Sequence, residues 1–246
     1  MATTHAPTAA PPERRANRWL RAGAVAGPLF AVLSFAQVPL HPGLDLTKHA
    51  FSFLLLGPDG RLQTLNFVVA GLLFVASGRG LRLSLSADQA DRTEQVGQVG
   101  QVGQASLTGR AGLWAHGLVT AVGAGMIFGG LFPPDPSFGY PAGAPAGVPA
   151  ELSGTSIVHA IAFFTAMLSW CALLAVLAGY LHRRGQRGWA LAAGLTAVGL
   201  LVVPVASTQP FGTVLLYVVA TIAWVVTSAV FLHLDRRVTH IDGRDL

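Results

Sequence analysis

Six stretches of the chain are each apolar over about the 20 residues that a membrane-spanning helix needs. They run approximately over Leu20–Leu40, Leu62–Leu81, Ala111–Phe132, Ser156–Leu181, Trp189–Ala206 and Gly212–Leu234. This pattern narrows the choice of fold more than any other feature. The runs are long and unalternated, as in Phe67–Ala76 and Val214–Ala223. A membrane barrel would instead show ~10-residue segments of alternating polarity. Composition agrees. Of 246 residues 52% are apolar and 11% charged, with a mean hydropathy of +0.55. An ordinary soluble domain carries roughly 25% charged residues. A disordered chain needs low hydrophobicity and high net charge, so that class is excluded too. The single cysteine, Cys171, cannot form an intrachain disulfide.

The basic residues then orient the spans. Arg14, Arg15, Arg18 and Arg21 precede the first span; Arg79, Arg82, Arg92 and Arg110 lie around the second connection. Arg183, Arg184 and Arg187 mark the fourth connection, and Arg236, Arg237 and Arg244 the tail. With six spans all of these fall on one face, leaving only Lys48 and Arg61 on the other. The positive-inside rule makes the arginine face cytoplasmic. The expected fold is an all-α membrane protein, a six-transmembrane-helix bundle with both termini cytoplasmic and two Pro/Gly-rich outer loops. A competing reading takes Arg14–Arg21 and Ser34-Phe35-Ala36 as a cleaved signal peptide; Pro28 and Pro39 count against it. The net charge of +5 does not indicate nucleic acid, because the arginines flank apolar spans and form no basic face with stacking aromatics. Membrane lipids are the expected partners.

The expected organisation is a disordered leader over 1–19, a membrane domain over 20–235 and a cytoplasmic tail over 236–246. Within the domain, 83–109 is expected to be a flexible cytoplasmic loop, since Gln-Val-Gly repeats three times across Gln95–Gly103. Gly23-x-x-x-Gly27 and Gly125-x-x-x-Gly129 permit close helix approach. Packing inside one bundle is the plain reading of these motifs and a dimer seam the sharper one.

Chemistry concentrates on the expected outer face. The first connection holds His41, Asp45, Lys48, His49 and Ser52, and ends in the turn sequence Gly57-Pro58-Asp59-Gly60. Phe51–Leu56 is too short to cross and fits a piece lying at the interface. The third connection, Phe132–Pro145, is rich in Pro and Gly yet carries Phe138 and Tyr140, which suits an ordered loop folded onto the bundle mouth. Asn66 and His159 lie about one turn inside their spans, and Asp135 just past the third. With Asp45, His49 and Ser52 these residues can line one outward-facing cavity, and ionisable groups at membrane depth are functional candidates. Each has a plainer role as well. Asp135 ahead of Pro136 suits a turn cap, His159 a bond to a loop carbonyl, Asn66 a link between helices, and Asp45, Lys48 and His49 a solvated loop. His116, His182 and His233, beside arginines, read as interface residues. No metal-ligand spacing, nucleophile elbow, phosphate loop or dinucleotide fingerprint occurs, so no metal or cofactor is expected. No span carries a central acidic residue, and no internal repeat marks a carrier.

Two segments carry a family likeness. His41-Pro42-Gly43, Ser52, Leu56-Gly57-Pro58 and Asn66-Phe67 with Gly71-Leu72 form the first. Gly129-Gly130-Leu131-Phe132, Asp135-Pro136, Gly139-Tyr140-Pro141, Gly143 and then His159 form the second. Over roughly residues 20–235 the chain resembles the bacterial domain-of-unknown-function family numbered 998. The resemblance implies an integral membrane protein of a kind common in actinobacteria, with no assigned activity. It also implies Ser52, Asn66, Asp135 and His159 as site positions. Gln209-Pro210-Phe211-Gly212-Thr213 departs from the charged or polar entry associated with the family's last span.

Three functions follow as expectations. The first is binding of a lipid-like or small apolar molecule through an outward-facing cavity, with Asn66, His49, Asp45, Asp135 and His159 as contacts. The second is an embedded enzyme with His159 as general acid–base, Asp135 orienting it and Ser52 as a candidate nucleophile. The third is a structural membrane partner.

Overall fold

A computed structural model describes residues 12–57, 59–95, 102–206 and 211–242. Six long helices account for most of them: α1 (Pro12–Gln37), α2 (Gly60–Gln95), α3 (Val102–Leu131), α4 (Gly154–Arg183), α5 (Arg187–Ala206) and α6 (Gly212–Asp242). Short 3-10 segments cover Val38–Leu40 and Phe51–Leu56. Among the described residues there is no sheet, only a bridge between Ser137 and Tyr140. Five helices carry stretches long and apolar enough to cross a membrane: Arg18–Leu40, Gly60–Ser86, Arg110–Leu131, Gly154–Arg183 and Gly212–Arg237. The apolar stretch of α5, Arg187–Val203, is shorter.

Each helix packs on the next in sequence, and α1 closes the ring against α6. Every neighbour is antiparallel. On α1 and α2, Ser34 meets Gln63 while Gly23 faces Ser77; on α3 and α4, Gly125 faces Ala162 while Gly129 faces His159. The end carrying the 38–59 and 132–153 connections is here the loop end, and the opposite end the arginine end. Large apolar side chains such as Val32, Leu72, Trp114, Ile161, Leu195 and Val225 are exposed around the ring. Water would not tolerate so broad an apolar surface on one protein, whereas lipid does.

Two boundaries differ from the sequence expectation. The leader expected over 1–19 is already helix from Pro12, because proline is well placed in a first helical turn and Glu, Arg and Ala follow. Residues 1–11 lie outside the described residues. The loop expected over 83–109 is helix over 83–95 and 102–109. Ser86–Gln95 is rich in Ala, Gln, Asp, Arg and Glu with no proline, so nothing stops α2 where the apolar run ends. The core of the Gln-Val-Gly repeat, 96–101, lies outside the described residues.

Glycine sets the tightest contacts. A Cβ on Gly71 would stand 2.6 Å from the Gly123 carbonyl oxygen, and one on Gly125 2.6 Å from that of Ala162. Gly27 abuts Trp224, and Gly23 abuts Phe231 and Ser77. The two Gly-x-x-x-Gly motifs therefore serve contacts within the bundle, with Gly23 and Gly27 against α6 and α2 and Gly125 against α4. Between α4 and α5 the turn is three residues long, with Gly185 at φ +71° and its N–H donating to the His182 carbonyl at 2.9 Å. At the arginine end Arg21 Nε donates to Asp235 Oδ2 at 2.9 Å, joining α1 to α6.

Gly123→Val forces α2 and α3 apart. It is expected to cost about 1–3 kcal/mol, as overpacking does, and to lower Tm in detergent by several degrees. Gly117→Ala meets nothing within 4 Å and should leave Tm unchanged or raised. A thermal-shift comparison of the two variants checks this.

Candidate functional site

The first connection folds onto the bundle mouth rather than into solvent. Phe53 and Leu54 are buried. The Gly60 N–H donates to the Gly57 carbonyl at 3.1 Å, closing the turn that starts α2. His49 holds this connection to the third one. Its Nδ1 accepts from the Asp45 N–H at 2.8 Å, so Nε2 carries the proton and donates to the Phe138 carbonyl at 3.1 Å. His49 is 2% exposed and is a clamp between loops. Asp45 accepts from the N–H and hydroxyl of Thr47, which holds its carboxyl below the usual range, with Lys48 at 3.5 Å.

The third connection is built on a tight hairpin. Ser137 and Tyr140 exchange two backbone hydrogen bonds, and Phe138 (φ +52°) and Gly139 (φ +79°) stand between them in left-handed conformations. That is the pattern of a type I′ turn, in which Asn or Gly usually takes the Phe138 position. Tyr140 is 2% exposed and packs 5.4 Å from the His49 ring. The Asp135 carboxylate accepts from the N–H (2.8 Å) and hydroxyl (2.5 Å) of Ser153, whose hydroxyl in turn accepts from the Ser156 N–H and caps α4. Those two Ser153 bonds hold the Asp135 carboxyl below the usual carboxylate range.

His159 lies just inside α4. Its Nδ1 is 2.9 Å from the Gly129 carbonyl oxygen and 2.8 Å from that of Phe132. Carbonyls only accept, so Nδ1 carries the hydrogen and satisfies the end of α3. Asp135 is thus not the hydrogen-bond partner of His159: the carboxylate serves Ser153, and the imidazole serves backbone. Asn66 belongs to a separate buried network. Its amide nitrogen donates to the Phe30 carbonyl at 3.0 Å, to Ser34 at 3.1 Å and to Gln63 at 3.2 Å. Gln63 also accepts from Gln37 at 2.8 Å. This network ties α1 to α2, the linking role open to an amide in a membrane.

Between the helices, below the first connection, is a cavity of about 140 Å³. Its apolar wall includes Phe30, Phe67, Met126, Phe163, Trp170 and Trp224. The polar lining side chains are Ser52, His159, Tyr217 and Thr221, and no Asp, Glu, Lys or Arg is among the lining residues. Six small residues make the room: Ala31, Ala50, Gly125, Gly129, Ala166 and Ala220. α5 contributes no lining residue although it stands between α4 and α6 in the ring, and Thr221 on the wall is exposed. The Tyr217 hydroxyl donates to the His49 carbonyl at 2.6 Å, and its ring lies 4.7 Å from that of Phe51.

Of the expected site residues, Ser52 and His159 share this cavity. Asp45, His49, Asn66 and Asp135 do not line it. Tyr217 and Thr221 were not foreseen. Their signal was present: Thr213, Tyr217 and Thr221 recur every four residues and so fall on one helix face. Among the described residues no group of three His, Cys, Asp or Glu side chains is placed to hold a metal.

These features define a multi-pass helical membrane protein whose interior cavity is mainly apolar. The family described as "Protein of unknown function (DUF998)" matches residues 24–233, and the chain belongs to it. No curated protein and no solved structure matches the chain.

Because its carboxyl is held low, Asp135 stays ionised through neutral pH, and its grip on Ser153 is lost only as pH falls through that lowered value. Asp135→Asn should therefore make the 132–153 loop more susceptible to limited proteolysis at pH 7. The wild type should approach the variant's rate only in acid.

Proposed function

We propose that the protein crosses the bacterial cytoplasmic membrane six times with both termini inside, and that it binds a small apolar or lipid-like molecule in the cavity from the outer leaflet. The arginine asymmetry supports this orientation. The 20 residues of α5 extend about 30 Å, the thickness of a hydrocarbon core. On this reading the two proline-rich connections lie outside, and the first of them roofs the cavity.

The observation that carries the binding reading is the character of the cavity wall. A void of this size, near the ~150 Å³ of a cavity known to take up benzene, favours an apolar guest. Aromatic and Met side chains are nine of its twenty lining residues, and small residues on five segments keep it open. The general acid–base reading has less behind it, since His159 is oriented by carbonyls and Asp135 is committed to Ser153. Lipid is the expected partner.

Native mass spectrometry of the detergent-purified protein tests binding. After incubation with a bacterial lipid extract, the wild type should carry a discrete adduct that Ala220→Leu, which fills the cavity, loses. A bare mass for the wild type overturns the reading. For topology, Val148→Cys should react with an impermeant maleimide on intact cells and Arg244→Cys only after lysis, each in a Cys171→Ser background. The reverse pattern overturns the orientation.

A further inference from the structure

The lining chemistry narrows the guest beyond its being apolar. We propose that the cavity selects an uncharged amphiphile bearing a hydroxyl, with that hydroxyl donating to His159 Nε2 and the apolar tail running toward Trp170 and Trp224. This rests on the binding reading above and deepens it.

The argument begins with His159. Its Nδ1 is committed as a donor to two carbonyls. A neutral imidazole then has Nε2 as an acceptor. Among the described residues no hydrogen bond reaches Nε2, and the ring lies on the cavity wall. An unpartnered acceptor on a ring that lines an apolar void calls for a donor on whatever fills it. Gly129 leaves the space beside this ring open, since a Cβ there would meet only His159 Cε1, at 3.9 Å.

Charge complementarity excludes the common ionic headgroups. No Lys or Arg lines the cavity to receive a phosphate or carboxylate, and no Asp or Glu to receive an ammonium. A charge brought in unpaired would carry a desolvation cost that nothing on the wall offsets. A hydroxyl meets no such penalty, and Ser52 stands on the same wall as a further hydrogen-bonding group.

Orientation follows from depth. Trp170 is eleven residues beyond His159 on α4, about 16 Å at the helical rise. Trp170 and Trp224 lie with ring centroids 4.1 Å apart, and the Trp170 indole N–H is taken by Thr227 at 2.9 Å. That end of the cavity is walled by aromatic rings, with the Trp170 indole N–H already taken. The polar end of the guest belongs at His159 and its tail at the tryptophans.

The test uses the full chain in lipid nanodiscs, with Trp19, Trp114 and Trp189 replaced by Phe so that only Trp170 and Trp224 report. The probes are 12-bromododecan-1-ol, 12-bromododecanoate at pH 8 and 1-bromododecane, whose bromine quenches indole on contact. The alcohol should quench saturably, with the carboxylate needing at least tenfold more. His159→Asn places an amide nitrogen where Nδ1 sits, keeping the donor to the end of α3 while removing the Nε2 acceptor. It should weaken the alcohol about three- to tenfold, the range of one neutral hydrogen bond, and leave the bromoalkane unchanged. If alcohol and alkane quench alike and His159→Asn changes neither, the hydroxyl assignment is overturned while apolar binding stands. A carboxylate as potent as the alcohol also overturns it. No saturable quenching by any probe overturns both this inference and the binding reading.

Discussion

Close approach of helix backbones at glycine is the constraint on which the remaining architecture depends. Lipid tails are as apolar as leucine, so helices in a bilayer gain little from hiding apolar side chains against each other. Contact must come from packing at short range. α3 supplies it on several faces. Gly123 meets Gly71 of α2, Gly130 meets Phe67, and Gly125 meets the Ala162 backbone of α4. With α3 drawn against both neighbours, bulk is concentrated elsewhere, in the aromatic column of Phe74, Trp224 and Trp170. Where small residues from α1, α3, α4 and α6 coincide above that column, nothing fills the interior. The cavity is the remainder of the packing that holds the bundle together.

The loop end shows how irregular backbone is kept dry. Several polar groups there are consumed locally: His49 by Asp45 and Phe138, Asp135 by Ser153, and the Tyr217 hydroxyl by the His49 carbonyl. His159 does the same for the last carbonyls of α3. One imidazole nitrogen thus serves the fold while the other is left to the cavity. A histidine is suited to this because its two nitrogens differ in role.

Much of this architecture was legible in the sequence. The apolar windows found all six helices, and the Pro/Gly-rich segments found the two folded connections. Helix ends at the arginine side were misplaced, because hydropathy reports where lipid contact ends and not where helical hydrogen bonding ends. Polarity along α2 changes well before Gln95, while its backbone carries on. The site was legible only in part. Sequence could nominate Asp135 and His159, since both are ionisable near a membrane boundary. It could not show that their partners are a serine and two backbone carbonyls, because backbone acceptors leave no compositional trace. Asn66 was nominated as a polar group one turn inside a span, yet a neighbouring Gln63 and Ser34 absorb it. Tyr217 and Thr221 were overlooked inside an apolar run whose average hydropathy concealed a four-residue spacing.

The proposed route from the outer leaflet has a thermodynamic consequence. A guest that comes from the bilayer and not from water has completed most of its desolvation before it meets the protein. Occupancy then follows the guest's mole fraction among the lipids, and aqueous concentration matters only through partitioning. Selection between two guests of equal lipophilicity rests on the small difference that polar groups on the wall can make. In such a site a single imidazole nitrogen outweighs a large apolar wall in deciding what is bound.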